Sequence, residues 1–378
     1  MLIVTSPSAL LINGDPDPSI AQVLIEAAQN NHKVGIVSNN AKPGWFDELF
    51  AETGVIFKQE LGRQNGGIIK RTAEKLKIAP QDVLVLVGSQ ADIAMGKNGK
   101  AVMVAAGWSN DPRVSELGIQ VDCARSLKET LRLTSEWDGK WWFNGQGASY
   151  SVHALSDLST FGKDFDQKQF RAHLTSTIKQ GGPRLNALLA MVARSLLTQG
   201  VDSFPKLFWG VFPSSASDNS DSEVLSDFTH RLRTTVSKVR MARKGEPLFV
   251  RHKPSTKRSS AGSRTDRLDP TEQIETIHLN PKYRGNLTGR NVIVVDDCTT
   301  HGVSFGVAAA LLRKAGANSV TCIALGKFGR SLRDYQIDIT SDPFQPLNLA
   351  KNAVIKDNPF FVGHENNAAQ EALKGLLG

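Results

Sequence analysis

Twice along its 378 residues the chain alternates short apolar runs with amphipathic stretches, and that alternation restricts it to a narrow set of folds. In the first pass Ala9-Leu-Leu-Ile12, Val34-Gly-Ile-Val37 and Val83-Leu-Val-Leu-Val87 are separated by helical stretches at Ile20–Gln29 and Gly66–Lys77. In the second, Leu207–Phe212, Pro247–Arg251, Asn291–Val295 and Ser319–Leu325 read as strands, with helical stretches from Glu223 to about Lys238 and over Val303–Ala315. Strands of about five residues that are apolar throughout suit a sheet covered on both faces, so the pattern predicts two α/β domains with mainly parallel sheets. Helical stretches at Gln167–Gln180 and Pro183–Gln199 precede the second alternation. Residues 136–165, with Trp137, Trp141 and Trp142 as packing groups, read as a junction of strands and turns, which gives domains at 1–135 and 166–378.

Composition excludes several classes. With 40% hydrophobic and 22% charged residues the chain has the profile of a globular protein rather than a disordered or fibrous one. Cys123, Cys298 and Cys322 are three, widely spaced and without a C-x-x-C pair, so no disulfide framework or zinc site is expected and a reducing cytoplasm is the simplest home. The first residues lack the basic start of a signal peptide, and no apolar run approaches the roughly 20 residues that span a bilayer, so no membrane partner is expected. The net charge of +8 admits a polyanionic partner. Residues 231–290 hold fifteen Lys/Arg against five Asp/Glu, so the basicity belongs to one segment. Within it Lys253–Arg264 is polar, small and basic, the composition of a mobile surface loop. Its only aromatic neighbours in that segment, Phe249 and Tyr283, make a poor stacking platform for single strands, and nucleic acid is the less favoured partner.

The run Val294-Val-Asp-Asp-Cys-Thr-Thr-His-Gly-Val-Ser304 carries chemistry. A buried strand, two carboxylates, a small-residue turn and a helix start place backbone N–H groups and hydroxyls where an anion is favoured, at the carboxyl edge of a sheet. Asp296 and Asp297 beside such a cradle make sense if they hold sugar hydroxyls or a developing positive charge, because against the phosphate itself they would repel.

This run resembles the 5-phosphoribosyl 1-pyrophosphate (PRPP) motif of type I phosphoribosyltransferases, over roughly residues 165–330 and nearest to the ComF-like branch. The resemblance implies a Rossmann-like second domain in which Asp296 and Asp297 hold the ribose hydroxyls and contact Mg²⁺ only indirectly. It implies that Thr300, His301, Gly302, Val303 and Ser304 hold the 5′-phosphate, with Thr299 also in the PRPP site, and that Pro213, Ser214 and Ser215 bind pyrophosphate. A loop that closes over the substrate would be the basic stretch Lys253–Arg267, with Lys253, Lys257 and Arg251 as the cations facing the leaving group. His301 departs from the small residue that many relatives carry; its imidazole packs outward, contacts phosphate when protonated, or alters substrate choice. Cys298 reads as a buried small residue, not a nucleophile.

Residues 9–125 resemble a haloacid-dehalogenase (HAD)-type Rossmann-like domain. Ala9–Asp15 is similar to its first motif, Val37-Ser38-Asn39 to its second, Lys70 to its third and Val87–Asp92 to its fourth. That family uses an Asp nucleophile and further acids to hold Mg²⁺, whereas Asn13 stands at the nucleophile position and Ser89 replaces a motif acid. Asn forms no aspartyl-phosphate, so an inactive scaffold or interaction domain is favoured over a phosphatase. Asp15, Ser38, Lys70 and Asp92 remain to bind a phosphate or nucleotide; a shift of two residues makes Asp15 and Asp17 the motif pair instead.

The function these resemblances imply is Mg²⁺-dependent transfer of phosphoribosyl from PRPP to an unidentified nitrogenous acceptor. The alternative is a catalytically silent PRPP- or nucleotide-binding regulatory or effector subunit, as in stress-response or anti-phage complexes, acting as a homo-oligomer or with other proteins.

Overall fold

The computed structural model describes residues 1–182, 184–220, 223–237, 245–256 and 266–377. The chain divides into two compact units: Met1–Gly139 with Pro183–Ser203 and His230–Lys238, and Lys140–Gly182 with Phe204–Thr229 and Val239–Gly378.

The first unit is built on a six-stranded, all-parallel sheet of order β3-β2-β1-β4-β5-β6. Its strands are β1 (Leu2–Thr5), β2 (Lys33–Ser38), β3 (Ile56–Gln59), β4 (Val83–Val87), β5 (Val102–Ala106) and β6 (Ile119–Val121). Every residue of β4 and β5 is buried, which is why these runs are apolar at consecutive positions instead of alternating. The connections carry α1 (Pro18–Gln29), α2 (Gly67–Leu76), α3 (Gln90–Gly99) and α4 (Ala124–Glu136). α1 starts where Asp17 accepts from the Ile20 amide at 2.9 Å with Pro18 in the first helical position, a combination that satisfies one amide and needs none from the proline.

The strand expected over Ala9–Ile12 lies instead at Leu2–Thr5, buried between β2 and β4. Leu11–Ile12 pairs antiparallel with Asp15–Pro16 across a two-residue loop in which Asn13 (φ 55°) and Gly14 (φ 96°) are both left-handed. Asn-Gly is the dipeptide such a hairpin turn demands, because its twist needs positive φ at both central positions.

The second unit holds a six-stranded mixed sheet of order β9-β10-β11-β8-β7-β12. The strands are β7 (Phe143–Gln146), β8 (Ser151–Asp157), β9 (Leu207–Val211), β10 (Asn291–Thr299), β11 (Ser319–Lys327) and β12 (Gly363–Glu365). β9, β10, β11 and β8 run parallel, and β7 and β12 add antiparallel. Residues 136–165 therefore contribute two sheet strands to this unit, both of them interior. Trp137, Trp141 and Trp142 are buried. α5 (Phe165–Gln180), α6 (Val303–Lys314) and α7 (Asn367–Leu377) complete its helical layers, with α7 packed on α5 and β8.

The helix Arg184–Thr198, which the domain boundaries read from sequence assign to the C-terminal domain, belongs to the first unit. It is apolar nearly all round, and it packs on α4, β5 and β6, with Trp137 Nε1 donating to Ser195 Oγ at 3.1 Å. A helix without a polar face cannot remain at a surface, so it is drawn into the nearest uncovered sheet face. No helix among the described residues is long and apolar enough to cross a membrane.

Candidate functional site

Parallel strands deliver their following loops to one edge of the sheet. In the second unit β9, β10 and β11 deliver Phe212–Ala216, Thr300–Gly302 and Phe328 to a cavity of about 990 Å³. α5 supplies a further wall through Arg171, Thr175, Ile178 and Lys179.

β10 runs past its expected end at Val295, because pairing with β11 continues to Thr299 opposite Lys327. Asp296 and Asp297 are thus rigid strand residues. Asp296 is buried (8% exposed). Its carboxyl is pushed well above the usual carboxylate range, first by burial and then by the neighbouring Asp297. The Asp297 amide donates to Asp296 Oδ1 at 2.8 Å, and the Cys298 amide donates to Asp297 Oδ1. Burial and the two adjacent carboxylates push the Cys298 thiol well up, which keeps it protonated and unsuited to nucleophilic attack.

The turn closes at Gly302, whose φ of 84° is left-handed. A Cβ there would sit 2.8 Å from the Arg333 carbonyl oxygen and 3.1 Å from Leu332 Cδ1, so glycine is required twice over. No side chain caps the first turn of α6, leaving its amides beside Thr300, Val303 and Ser304 on the cavity wall. His301 is half-buried and tied to the next loop: Nδ1 lies 2.9 Å from Ser331 Oγ, and its carbonyl accepts from the Arg333 amide at 3.0 Å.

Across the cavity, the loop Pro213–Ser215 is fixed through its carbonyls. Buried Arg251 donates to the carbonyl oxygens of Pro213 and Ser214, and the Ser255 amide donates to that of Ser215 at 2.9 Å. Arg251 is held in turn by Thr276 Oγ1 at 2.9 Å and Gln273 Oε1 at 3.0 Å. Carbonyl oxygens repel an anion; with three of them engaged, the loop has N–H groups and hydroxyls left to offer a ligand.

Of the cations expected near a leaving group, Arg251 lines the cavity but acts chiefly as the clamp of this loop. Lys253 is exposed and is not among the lining residues, and Lys257 lies outside the described residues. The cations that line the cavity are Arg171 and Lys179 on α5, Arg267 and Arg251, with no subsite fixed by lining alone. Arg171, Thr175 and Lys179 share one helix face by their i, i+4, i+8 spacing, which is visible in the sequence; that this face meets the cavity is decided by packing. The implied Mg²⁺ can be tested against the donors present. The described residues contain no group of three or more His, Cys, Asp or Glu able to hold a metal ion. Two carboxylates fit a cation carried mainly by ligand phosphates, not a protein cage.

The first unit gathers a different cluster at the carboxyl edge of its sheet. Asp92, completely buried at the start of α3, accepts from Ser6 Oγ (2.8 Å), Ser89 Oγ (2.9 Å), the Gly88 amide (3.0 Å) and Ser8 Oγ (3.5 Å). The buried guanidinium of Arg63 pairs with its other oxygen. Ser6 and Ser8, not Asn13 and Asp15, follow the first strand; Asn13 and Asp15 are exposed on the hairpin. Lys70 is exposed on α2. Ser38 ends β2, its hydroxyl accepting from the Asn40 amide at 3.0 Å. These residues do not fit a divalent cation: the one acid of the cluster is saturated, and a guanidinium already neutralises it.

Fold and cavity define an α/β protein with a cavity at the carboxyl edge of a largely parallel sheet. No family model matches the chain, and no curated protein matches it. Among solved structures it is similar to a protein assigned to the HAD hydrolase family from Streptomyces avermitilis, at 13% identity and TM-score 0.24, covering 31% of this chain and 88% of that one. It is similar to a protein assigned as a phosphoglycolate phosphatase from Lactobacillus delbrueckii, at 20% identity and TM-score 0.27, covering 32% of this chain and 55% of that one. It is also similar to the UMP synthase of Leishmania donovani, at 9% identity and TM-score 0.22, covering 86% and 85%.

Proposed function

We propose that the second unit binds PRPP with Mg²⁺ and transfers its phosphoribosyl group to a nitrogen of an acceptor, releasing pyrophosphate. One observation carries this reading: the carboxylate pair, the Gly302 turn at the start of α6 and the clamped Pro213–Ser215 loop all face a single cavity. In the reaction the bond from ribose C1 to the pyrophosphate oxygen breaks and a C1–N bond forms, so positive charge develops on the sugar and negative charge on the leaving group. Asp296 and Asp297 suit the sugar. A pair whose buried member is pushed towards keeping its proton offers a diol a donor as well as acceptors, and carboxylate oxygens beside the sugar suit a developing cation. The turn over Thr299–Ser304 suits the 5′-phosphate, and the amides and hydroxyls of Ser214 and Ser215 suit the pyrophosphate. Mg²⁺, bound through substrate phosphates and approached by Asp296 and Asp297, would neutralise part of the leaving charge.

Calorimetric titration of PRPP, with and without Mg²⁺, tests the site. The wild type should bind in a Mg²⁺-dependent way, and Asp296→Ala and Asp297→Asn should each weaken binding about tenfold or more, the worth of the hydrogen bonds each gives the sugar. Identical isotherms for all three proteins reject the assignment. Pyrophosphate release over a panel of nitrogenous bases tests turnover; binding without release for every base would make the unit a PRPP receptor.

A further inference from the structure

If the Pro213–Ser215 loop, the Thr299–Ser304 turn and the two carboxylates take the pyrophosphate, the phosphate and the ribose, one wall of the cavity is left over. It includes Phe328, at the end of β11, and Arg171, on α5. The Phe328 backbone is held by its amide, which donates to the Thr299 carbonyl at 2.8 Å. The Arg171 guanidinium lies over the Phe328 ring at 5.2 Å and donates through Nη1 to Thr160 Oγ1 at 3.0 Å. Arg171 is half-buried, and the contacts of its guanidinium among the described residues are the Thr160 hydroxyl and the Phe328 ring. Two buried guanidinia of the chain are more fully engaged: Arg63 has Asp92, and Arg251 has the loop carbonyls.

The direction of α5 separates Arg171 from the pyrophosphate end. Its C-terminal end comes to Gly181, where a Cβ would sit 3.8 Å from Val224 in the segment that follows the Pro213–Ser215 loop. Lys179 is therefore near the β9 side and Arg171 two turns away on the β11 side. A planar cation stacked on an aromatic ring, partly withdrawn from water and lacking an internal counter-charge, favours a ligand that brings its own negative charge.

We infer that Arg171 makes the acceptor an anion: a planar nitrogen heterocycle bearing a carboxylate, received between Phe328 and the ribose site with the carboxylate on the guanidinium. This rests on the phosphoribosyl-transfer reading. Arg171 is a specificity-determining residue here, and Thr160 positions it.

Matched acceptor pairs test it on the full chain with PRPP and Mg²⁺: nicotinate against nicotinamide, and orotate against uracil. In at least one pair the wild type should favour the carboxylate in kcat/KM by about tenfold or more, as one charge-assisted hydrogen bond provides. Arg171→Gln should lose that preference and Arg171→Lys should keep part of it, while PRPP affinity stays within about twofold in both, the charge being removed but no PRPP contact. Absence of a carboxylate preference in both pairs overturns the inference. So does an Arg171→Gln variant in which PRPP binding weakens as much as acceptor use, since that assigns Arg171 to the pyrophosphate. Failure of the wild type to bind PRPP at all is a separate result and removes the underlying reading.

Discussion

Gly302 shows how much of the site depends on one residue. An alanine there would hold a left-handed φ at a cost of about 1–2 kcal/mol, and its methyl would press on the Arg333 carbonyl at 2.8 Å. Gly302→Ala should therefore displace the turn and weaken PRPP binding at least about tenfold with secondary structure intact, as titration combined with circular dichroism would reveal. The residue type was legible because the turn needed a small residue; the second constraint, the approach of Arg333, was not, since it comes from a segment thirty residues on. His153, on β8, gives a pH prediction. Its ring stacks on Trp141 at 5.7 Å, Nδ1 lies 2.7 Å from Asn144 Oδ1, and burial pulls its pKa from 6.5 to about 4. The folded state thus resists a proton that the unfolded chain accepts, so stability is full above pH 6.5 and is lost as the pH falls from there towards 4. Between pH 7 and 5 this amounts to about 2 kcal/mol. Urea midpoints of wild type and His153→Gln should fall together except for that amount; parallel curves would show that His153 is not protected.

At the scale of elements, the antiparallel pair Phe249–Arg251 and Ile277–Leu279 delivers Arg251 to the back of the Pro213–Ser215 loop. Arg251→Met should leave two loop carbonyls and Gln273 without their donor, lowering stability by about 2–4 kcal/mol and loosening PRPP binding as well. Denaturation and titration of the same variant would check both, and an unchanged urea midpoint would contradict the clamp. The strand near Arg251 was legible from its apolar run, but its partners were not: a strand residue faces one side or the other according to its pairing, and the pairing partner lies across the basic segment. The same limit explains Ser6 and Ser8. The Asn13-Gly14 dipeptide is the local signal of the hairpin that leaves the first strand at Leu2–Thr5, a signal that the motif resemblance over Ala9–Asp15 passes over.

For the molecule as a whole, each unit has its own polar centre, and the two differ in kind. In the second unit charges line an open cavity. In the first, Arg63 and Asp92 neutralise each other in the interior. Removing one member of such a pair leaves an uncompensated buried charge, so Arg63→Met should cost about 3–5 kcal/mol, and adding Asp92→Asn should recover part of it. Unfolding curves of the single and double variants would measure that coupling; additive losses would refute it. The sequence by itself determined the α/β class, the runs that become interior strands and the glycine turn into a helix after β10, because strand periodicity, glycine demand and helix starts are local properties. Only the tertiary structure decided that the helix Arg184–Thr198 leaves the chain order to join the first unit, that Arg63 reaches Asp92, and that Arg171 reaches the cavity. Those outcomes depend on which apolar faces remain uncovered and which distant side chains then meet, and no local pattern encodes either.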